Sequence, residues 1–545
     1  MVKINKNSCF VLILILIISL TLQGCVEKKD DVDVISKTNK QLVYDIEKLP
    51  NDLVKIDQYN SRAKELSETL FEGLVYEKQD NNGNSSINYG LAKSCDISKD
   101  GLVYTFTLRD GIEWSDGKSI TATDFCNFFR DILKLNYNSI YRNELKIIFG
   151  VTDYISNKND FSSVAITSPE ENVLQIRINS PQSYFLNLLS QPIYGLRKID
   201  SKLSNWKKNY GKIAYTGAFK ITKISADDKI YLSKNTKYIF KDRVKSDNII
   251  LAQGKNGGEY SLADFETNNN IDIFLNPPST ETERLQKENE EKTYSSFTVK
   301  SLFFNLNSTT ATSDVNFRKA INYALDKNKL KGLRLSDFGE VNNSFFPNSM
   351  NTVLKNTTLP NSSPVETLNS LSSSTYHGET IKIVYLEQGD NKKICEQMIK
   401  NINGSIPRKN NINFQLIGCS SDEISDVIKE NDYDIYFGEY NINYNDPMAF
   451  IEMWELQYPS NVYGFNDVSY NNFIYDASIT SDINKKNDFY TKCLKELVNN
   501  MPIIPIFTKN IRVCSKPNIQ GLEVSKYGNI LIENLWLNWS EKINK

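Results

Sequence analysis

One stretch of the sequence constrains the fold more than any other, because a strand, two turns and a helix follow one another in it. Large apolar side chains occupy every second position of Tyr104–Leu108, which is the period of a strand. The turn signals Arg109–Gly111 and Ser115–Gly117 come next. Thr121, with Asp124 three residues later, predicts a capped helix. The apolar face of that helix carries Phe125, Phe128, Phe129, Ile132 and Leu133. Strands and amphipathic helices alternate in this way along the chain, which predicts mixed α/β layers.

The charge balance and the histidine content exclude several classes of protein. Among 545 residues, 64 lysines and arginines nearly balance 66 aspartates and glutamates, so the formal net charge is only -2. A nucleic-acid-binding protein needs a basic face that neutralises phosphates, so we expect no nucleic-acid partner. His377 is the single histidine, which removes most metal-site and general-base chemistry. We therefore expect no metal, no cofactor and no catalytic residues.

The first 25 residues have the pattern of an export signal. Lys3 and Lys6 precede Phe10–Leu22, which is apolar apart from a serine and a threonine. A run of about 13 residues is too short to span a bilayer, which needs roughly 20. The sequence Leu22-Gln-Gly-Cys25 resembles a bacterial lipobox, which implies a signal peptide over residues 1–24 and a diacylglyceryl group on Cys25. Residues 25–40 lack an apolar period and predict a flexible tether. The alternatives are an uncleaved anchor helix and a soluble secreted protein.

Six cysteines remain once Cys9 and Cys25 are set aside. They are Cys95, Cys126, Cys395, Cys419, Cys493 and Cys514. Export permits disulfides, and six cysteines allow 15 pairings, none of which the sequence selects. No Cys-x-x-Cys motif occurs, so zinc and redox chemistry are not expected. Several of the six lie on the apolar faces of predicted helices, which favours buried free thiols. A Cys395–Cys419 disulfide is the alternative.

Periodicity also predicts elements in the remaining chain. A short strand is expected at Ile271–Ile273 and a solvated helix within residues 281–292. Asp314 predicts the cap of a helix that buries one face. Residues 351–374 are rich in serine, threonine and asparagine and predict a long irregular connection. Residues 381–417 follow with a strand-helix-strand pattern.

The segment described first also carries a resemblance to a known family. Asp100–Gly117, followed by Thr121–Phe125, resembles the extracellular solute-binding proteins that serve ATP-driven peptide importers, the oligopeptide- and dipeptide-binding lipoproteins. Shorter blocks support the resemblance in the same order: Leu70–Leu74, Phe304-Asn305, Phe317–Ala320, Tyr433–Ile435, Asn445–Pro447 and Pro502–Ile506. The resemblance extends from about Leu42 to Trp539.

The resemblance implies an α/β fold of the periplasmic-binding-protein-like kind, a two-lobed clamshell with an extra subdomain in lobe I. Lobe I would comprise residues 41–75, 206–300 and 508–545, with the extra subdomain at residues 76–205. Lobe II would comprise residues 301–507. Crossing strands would join the lobes, and their closure would bury the ligand.

The same resemblance implies a binding site in the loop that follows a strand ending near Phe437. Its candidate residues are Glu439, Tyr440, Asn441, Ile442 and Asn443. Phe71, in the loop after the first helix, is a further candidate, and a place in the core is the alternative for it. Peptide binders of the family carry an aspartate at the position of Asn443, and this aspartate pairs with the N-terminal ammonium of the ligand. A buried ammonium without a counter-charge is costly. Either Glu439 restores that charge from another angle, or the ligand is not a free-amine peptide.

The implied function is the capture of peptides by a lipid-anchored monomer on the outer face of the cell membrane, and their delivery to an ABC permease. Main-chain pairing with an extended peptide would give broad specificity. The alternatives within the same fold are a non-peptide solute, such as a metal chelate or a sugar, and a signalling peptide. An extracellular hydrolase is the least favoured, because His377 lies in a polar stretch and no Gly-x-Ser-x-Gly elbow occurs.

Overall fold

The structure is a computed structural model that describes residues 41–54, 61–80, 85–135, 140–254, 258–267, 270–331, 333 and 338–538. The signal peptide at residues 1–24, the tether at 25–40 and the lipid site at Cys25 lie outside these residues and stay predictions. The chain divides after Leu42 into two compact units. Apart from the first residue of the first strand, the elements below belong to the second unit, Val43–Lys545.

The α-helices of the described residues are mostly short. They are α1 (Ser61–Leu70), α2 (Ala122–Lys134), α3 (Ile140–Glu144), α4 (Val151–Ile155), α5 (Phe185–Leu189), α6 (Ser201–Ser204), α7 (Trp206–Asn209), α8 (Gly258–Glu266), α9 (Thr282–Lys287), α10 (Val315–Ala324), α11 (Pro364–Ser372), α12 (Asn391–Gly404), α13 (Ile424–Lys429), α14 (Met448–Ile451), α15 (Val468–Ile479) and α16 (Ile483–Asn500).

The strands of the described residues range from two to fourteen residues. They are β1 (Leu42–Asp45), β2 (Val75–Gln79), β3 (Ser85–Tyr89), β4 (Ala92–Ile97), β5 (Val103–Leu108), β6 (Ile166–Glu170), β7 (Val173–Arg177), β8 (Phe219–Ile224), β9 (Ile230–Lys234), β10 (Asn248–Ala252), β11 (Ile273–Leu275), β12 (Glu291–Phe304), β13 (Phe338–Val341), β14 (Thr380–Leu386), β15 (Asn413–Cys419), β16 (Ile435–Asn441), β17 (Ile503–Ser515), β18 (Ile519–Gln520) and β19 (Trp536–Leu537).

Most of the strands belong to one large sheet. Its order is β15-β14-β16-β12-β17-β11-β1-β10-β9-β8, with β13 paired to β17. The two longest strands, β12 and β17, pair antiparallel at its centre. On one side of them, β14 pairs in parallel with both β15 and β16, as the predicted strand-helix-strand unit requires. The chain enters that side through β12 and leaves it through β17.

A separate four-stranded sheet, in the order β4-β5-β7-β6, lies within residues 92–177. The alternation predicted for Tyr104–Leu108 is confirmed, because Tyr104, Phe106 and Leu108 of β5 are buried. Helix α2 packs on β6 and β7 of this sheet and buries all five predicted apolar residues. Its cap forms as predicted: Asp124 Oδ2 accepts a hydrogen bond of 2.9 Å from the Thr121 backbone N–H.

Three sequence predictions about elements are wrong in whole or in part. Residues 351–374 are not irregular throughout, because α11 forms there with Ser363 as its cap and Pro364 in its first turn. The strand expected at Ile271–Ile273 forms two residues later, as β11. The solvated helix within residues 281–292 is shorter than expected, and Glu291 already begins β12.

The described cysteines are free thiols, as the favoured interpretation of the sequence predicted. All six cysteines of the described residues are free, and Cys395, Cys419, Cys493 and Cys514 are buried. The alternative Cys395–Cys419 disulfide is therefore not formed. Within the described residues, no helix is both long and apolar enough to cross a membrane.

Candidate functional site

The segment Glu439–Asn443 lies at the carboxyl end of β16 and just beyond it. Antiparallel pairing with β12 sets its register, with Lys300 opposite Glu439 and Thr298 opposite Asn441. The Thr298 hydroxyl donates a hydrogen bond of 2.6 Å to Asn441 Oδ1. In α/β sheets, ligands commonly bind beyond the carboxyl ends of strands. The sheet therefore positions this segment where a binding loop is expected.

Glu439 lies between two lysines from different strands. Its Oε2 is 3.2 Å from Lys300 Nζ on β12 and 3.2 Å from Lys509 Nζ on β17. Burial opposes ionisation of this carboxyl, but the two ammonium groups outweigh it and hold its pKa at about 2. The group of three thus carries one net positive charge, and the carboxylate already has two cations beside it.

Tyr440 and Ile442 have their side chains in the core. Tyr440 is 1% exposed, and its hydroxyl donates a hydrogen bond of 2.6 Å to the Phe345 carbonyl oxygen. Ile442 is fully buried, and its backbone N–H donates to the Phe297 carbonyl oxygen. The two buried side chains anchor the segment to the core.

Asn443 is half-buried at the end of the segment, whereas Phe71 is buried in the core. Asn443 is half-buried, and its Oδ1 accepts a hydrogen bond of 2.9 Å from Lys64 Nζ on α1. Phe71 is buried and stacks on Tyr215, with ring centroids 5.9 Å apart. The structure thus brings Glu439–Asn443 together as one segment, whereas Phe71 packs elsewhere in the core.

The sequence analysis missed two buried glutamates, Glu144 at the end of α3 and Glu452 just after α14. Glu144 Oε2 accepts hydrogen bonds from Gln191 Nε2 at 2.9 Å and from the Tyr194 hydroxyl at 3.0 Å. Glu452 Oε1 accepts hydrogen bonds from the hydroxyls of two tyrosines, Tyr444 at 2.9 Å and Tyr458 at 3.2 Å. A glutamate inside the apolar run Met448–Trp454 is the only sequence signal that pointed to either residue.

A family model described as "Bacterial extracellular solute-binding proteins, family 5 Middle" matches residues 86–461. This match covers more than half of the chain. The chain belongs to this family. The resemblance inferred from the sequence motifs is therefore confirmed.

Curated relatives match this solute-binding protein along most of its length. The "Oligopeptide-binding protein OppA" of Bacillus subtilis (strain 168) is 24% identical over 485 residues, which are 86% of this chain and 87% of the relative. The "Dipeptide-binding protein DppE" of the same organism is 22% identical over 551 residues, which are 96% of this chain and 97% of the relative.

Solved structures of similar proteins establish the fold. The Haemophilus influenzae OppA complex with RPPGFSPFR has a TM-score of 0.76 at 18% identity and covers 92% of this chain and 99% of its own. The Escherichia coli murein tripeptide binding protein MppA has a TM-score of 0.77 at 20% identity, with the same coverage. The predicted fold class, a two-lobed α/β solute-binding protein, is confirmed. The residue limits of the lobes and of the extra subdomain stay predictions.

Proposed function

We propose that this solute-binding protein captures peptides outside the cell and delivers them to an ABC permease in the membrane. The observation that carries the proposal is the similarity to an oligopeptide-binding and a dipeptide-binding protein over 86% and 96% of the chain. A match of that length covers most of the residues that the predicted lobes would comprise. The protein would act as a monomer that binds its ligand and releases it unchanged.

The position of Glu439–Asn443 supports a role in binding. The segment continues β16, and an extended peptide beside it would find main-chain groups and asparagine amides as partners. Recognition of the peptide backbone does not depend on the side chains of the ligand, which would make the specificity broad. Buried Tyr440 and Ile442 would contribute by holding the backbone of the segment.

The protein would be attached to the outer face of the cell membrane through lipid on Cys25. Two acyl chains anchor a protein stably, whereas a single chain holds it only marginally. Residues 25–40 would separate the folded body from the membrane and keep it close to the permease.

A non-peptide solute is the second candidate ligand, and the environment of Asn443 favours it. The ammonium group of Lys64 lies against the Asn443 side chain. At position 443, a peptide-binding relative is expected to have an aspartate. An ammonium group suits an anionic or neutral acceptor on the ligand better than it suits the free amine of a peptide.

Native mass spectrometry of the protein purified from its own host separates these candidates. We expect bound peptides of mixed sequence, released intact after prolonged incubation. A bound solute of uniform, non-peptide mass would replace the proposal with the second candidate. Fragments that accumulate with time would indicate a hydrolase.

A further inference from the structure

Positive charge is concentrated in one stretch of the chain. Residues 198–245 contain 13 lysines and arginines but only four aspartates and no glutamate. The rest of the chain contains 51 basic and 62 acidic side chains. A protein whose formal net charge is only -2 therefore combines a strongly basic region with an acidic remainder. Such a region attracts an anionic partner even though the molecule as a whole does not.

Part of this basic region is β8, the last strand at one end of the large sheet. Ile221 of β8 is buried, so its neighbour Lys220 points to the other face of the sheet. Lys220 lies opposite Ser233 of β9 on that face. A bulge after Ile221 places Lys223 opposite Tyr231, and Lys223 Nζ is 5.0 Å from the centre of the Tyr231 ring. Both lysines therefore lie on the face of β8 that is turned away from the core.

The segment before β8 adds further lysines to this end of the sheet. The turn Tyr210–Lys212 packs on β8. Lys207 Nζ, on α7, is 3.9 Å from Asp228 Oδ1 in the turn between β8 and β9. Six lysines, here called the basic edge, therefore surround this hairpin: Lys207, Lys208, Lys212, Lys220, Lys223 and Lys229.

Most of the basic edge is not neutralised by the protein itself. Lys207 pairs with Asp228, and Lys229 pairs with Asp227 at 3.0 Å. The other four lysines have no ion-pair partner among the described residues, and each of them is exposed or half-buried. The basic edge thus carries four positive charges that an external anion can approach.

The basic edge is also close to the strand through which the chain enters this unit. Strands β1, β10, β9 and β8 are neighbours in that order, and neighbouring strands are about 4.8 Å apart, so β8 is about 15 Å from β1. The predicted tether, residues 25–40, precedes β1 and would hold the folded body within about 20 Å of a lipid on Cys25. Attachment at Cys25 would therefore keep the basic edge near the phosphate groups of the bilayer.

We propose that the basic edge docks the protein on anionic phospholipids of the membrane to which it is attached. The inference rests on the proposed membrane attachment and adds the orientation of the folded body on the bilayer. Clusters of lysines bind anionic head groups by charge attraction, which salt weakens. The candidate binding segment continues β16, which lies on the other side of the central strands β12 and β17. Docking through β8 would therefore leave that segment uncovered for a ligand.

The test measures binding of the protein without its lipid to vesicles. Residues 26–545 contain the whole compact unit Val43–Lys545 and lack the predicted signal peptide and lipid site. The purified protein is sedimented with vesicles of phosphatidylcholine alone, or of equal parts phosphatidylcholine and phosphatidylglycerol. Each mixture is measured at about 50 mM and at about 500 mM NaCl, since the higher concentration screens exposed charges.

Two variants with the same net charge are compared with the wild type. The basic-edge variant combines Lys208→Gln, Lys212→Gln, Lys220→Gln and Lys223→Gln. The matched control changes four exposed lysines from a distant part of the chain, and it combines Lys392→Gln, Lys400→Gln, Lys409→Gln and Lys495→Gln. Thermal unfolding checks that both variants fold.

We expect the wild type to bind the phosphatidylglycerol vesicles at low salt and to lose at least about 10-fold in affinity at high salt. The basic-edge variant should bind these vesicles at least about 10-fold more weakly than the wild type at low salt. The control variant should keep the wild-type affinity, because its four lysines lie outside the basic edge.

The opposite results would overturn the docking proposal. A wild type that binds both kinds of vesicle equally, or neither, contradicts docking on anionic lipid. A control variant that loses as much affinity as the basic-edge variant shows that net charge alone causes the binding. Retention on immobilised polyphosphate without binding to vesicles assigns the basic edge to a polyanion other than the membrane.

The proposed function is checked separately in the same preparations. Retention of peptides from a casein digest, quantified by mass spectrometry, should be equal in the wild type and both variants. A wild type that retains no peptide overturns the proposed capture of peptides and leaves the vesicle result unaffected.

Discussion

Lys64 Nζ donates a hydrogen bond of 2.9 Å to Asn443 Oδ1, joining α1 to the loop after β16 across 379 residues of chain. Lys64 is buried and Asn443 is half-buried. The lysine therefore places its charge against a neutral acceptor. The family resemblance implies a carboxylate at this position, where this chain has the amide of Asn443.

Replacing that neutral acceptor with a carboxylate should stabilise the protein. Asn443→Asp would convert a hydrogen bond into a partly buried ion pair with Lys64, and we expect the free energy of unfolding to rise by about 1 kcal/mol. Urea unfolding at pH 7 measures the change. The same substitution in a Lys64→Met background should give no gain, and a gain of equal size there would contradict the pairing.

The stability of the protein should increase as the pH falls from 8 to about 5. Burial raises the pKa of Glu144 and of Glu72 to about 7 in the folded protein, whereas unfolded glutamates titrate at about 4.3. Between these values the folded protein binds more protons than the unfolded chain, so lower pH favours folding.

Thermal unfolding at pH 5.5 and at pH 8 measures this effect, and the midpoint should be higher at pH 5.5. The double variant Glu144→Gln, Glu72→Gln should show a smaller difference between the two conditions. An unchanged difference in the double variant would mean that other groups cause the pH dependence.

Glu439 should contribute to stability with the opposite pH dependence. Its pKa is held at about 2 by Lys509 and Lys300 against the effect of burial, so its contribution is complete above about pH 5 and is lost as the pH falls towards 2. Glu439→Gln would leave two ammonium groups facing each other, and we expect a loss of about 2 kcal/mol at pH 7. The exposed Glu430, changed to glutamine, is the control.

The same variant tests the role that the sequence suggested for Glu439. Because two lysines already balance its charge, Glu439→Gln should weaken binding of free-amine and N-acetylated peptides to the same extent. A selective loss of free-amine peptides would show instead that Glu439 is the counter-charge of the ligand ammonium.

Removing the proposed lipid site should release the protein from the membrane. Cys25→Ala leaves no thiol for the diacylglyceryl group, and we expect the protein in the soluble extracellular fraction. Cell fractionation followed by immunoblotting measures the distribution, with Cys95→Ala as the control. A Cys25→Ala protein that stays with the membrane would point to an uncleaved anchor helix.

Local signals in the sequence predicted local structure well. The cap at Thr121 and the apolar spacing of α2 each depend on residues only a few positions apart in the sequence. Both form as predicted. The same reasoning failed at α11, where the serine and asparagine content of residues 351–374 outweighed the Ser363-Pro364 signal of a helix start.

The environment of the site could not be predicted in this way. Lys300 and Lys509 reach Glu439 from β12 and β17, and only the pairing of β12 with β16 on one side and with β17 on the other brings the three together. The segment could be located from the resemblance, whereas its charge balance required the fold.

The place of β17 in the sheet has a consequence for biosynthesis. Residues 503–515 come near the end of the chain, yet they pair with β11, β12 and β13 in the middle of the sheet. Until they emerge from the ribosome, β11 and β12 have unsatisfied edges and the sheet cannot close. The centre of the large sheet can therefore be completed only when translation of the chain is nearly finished.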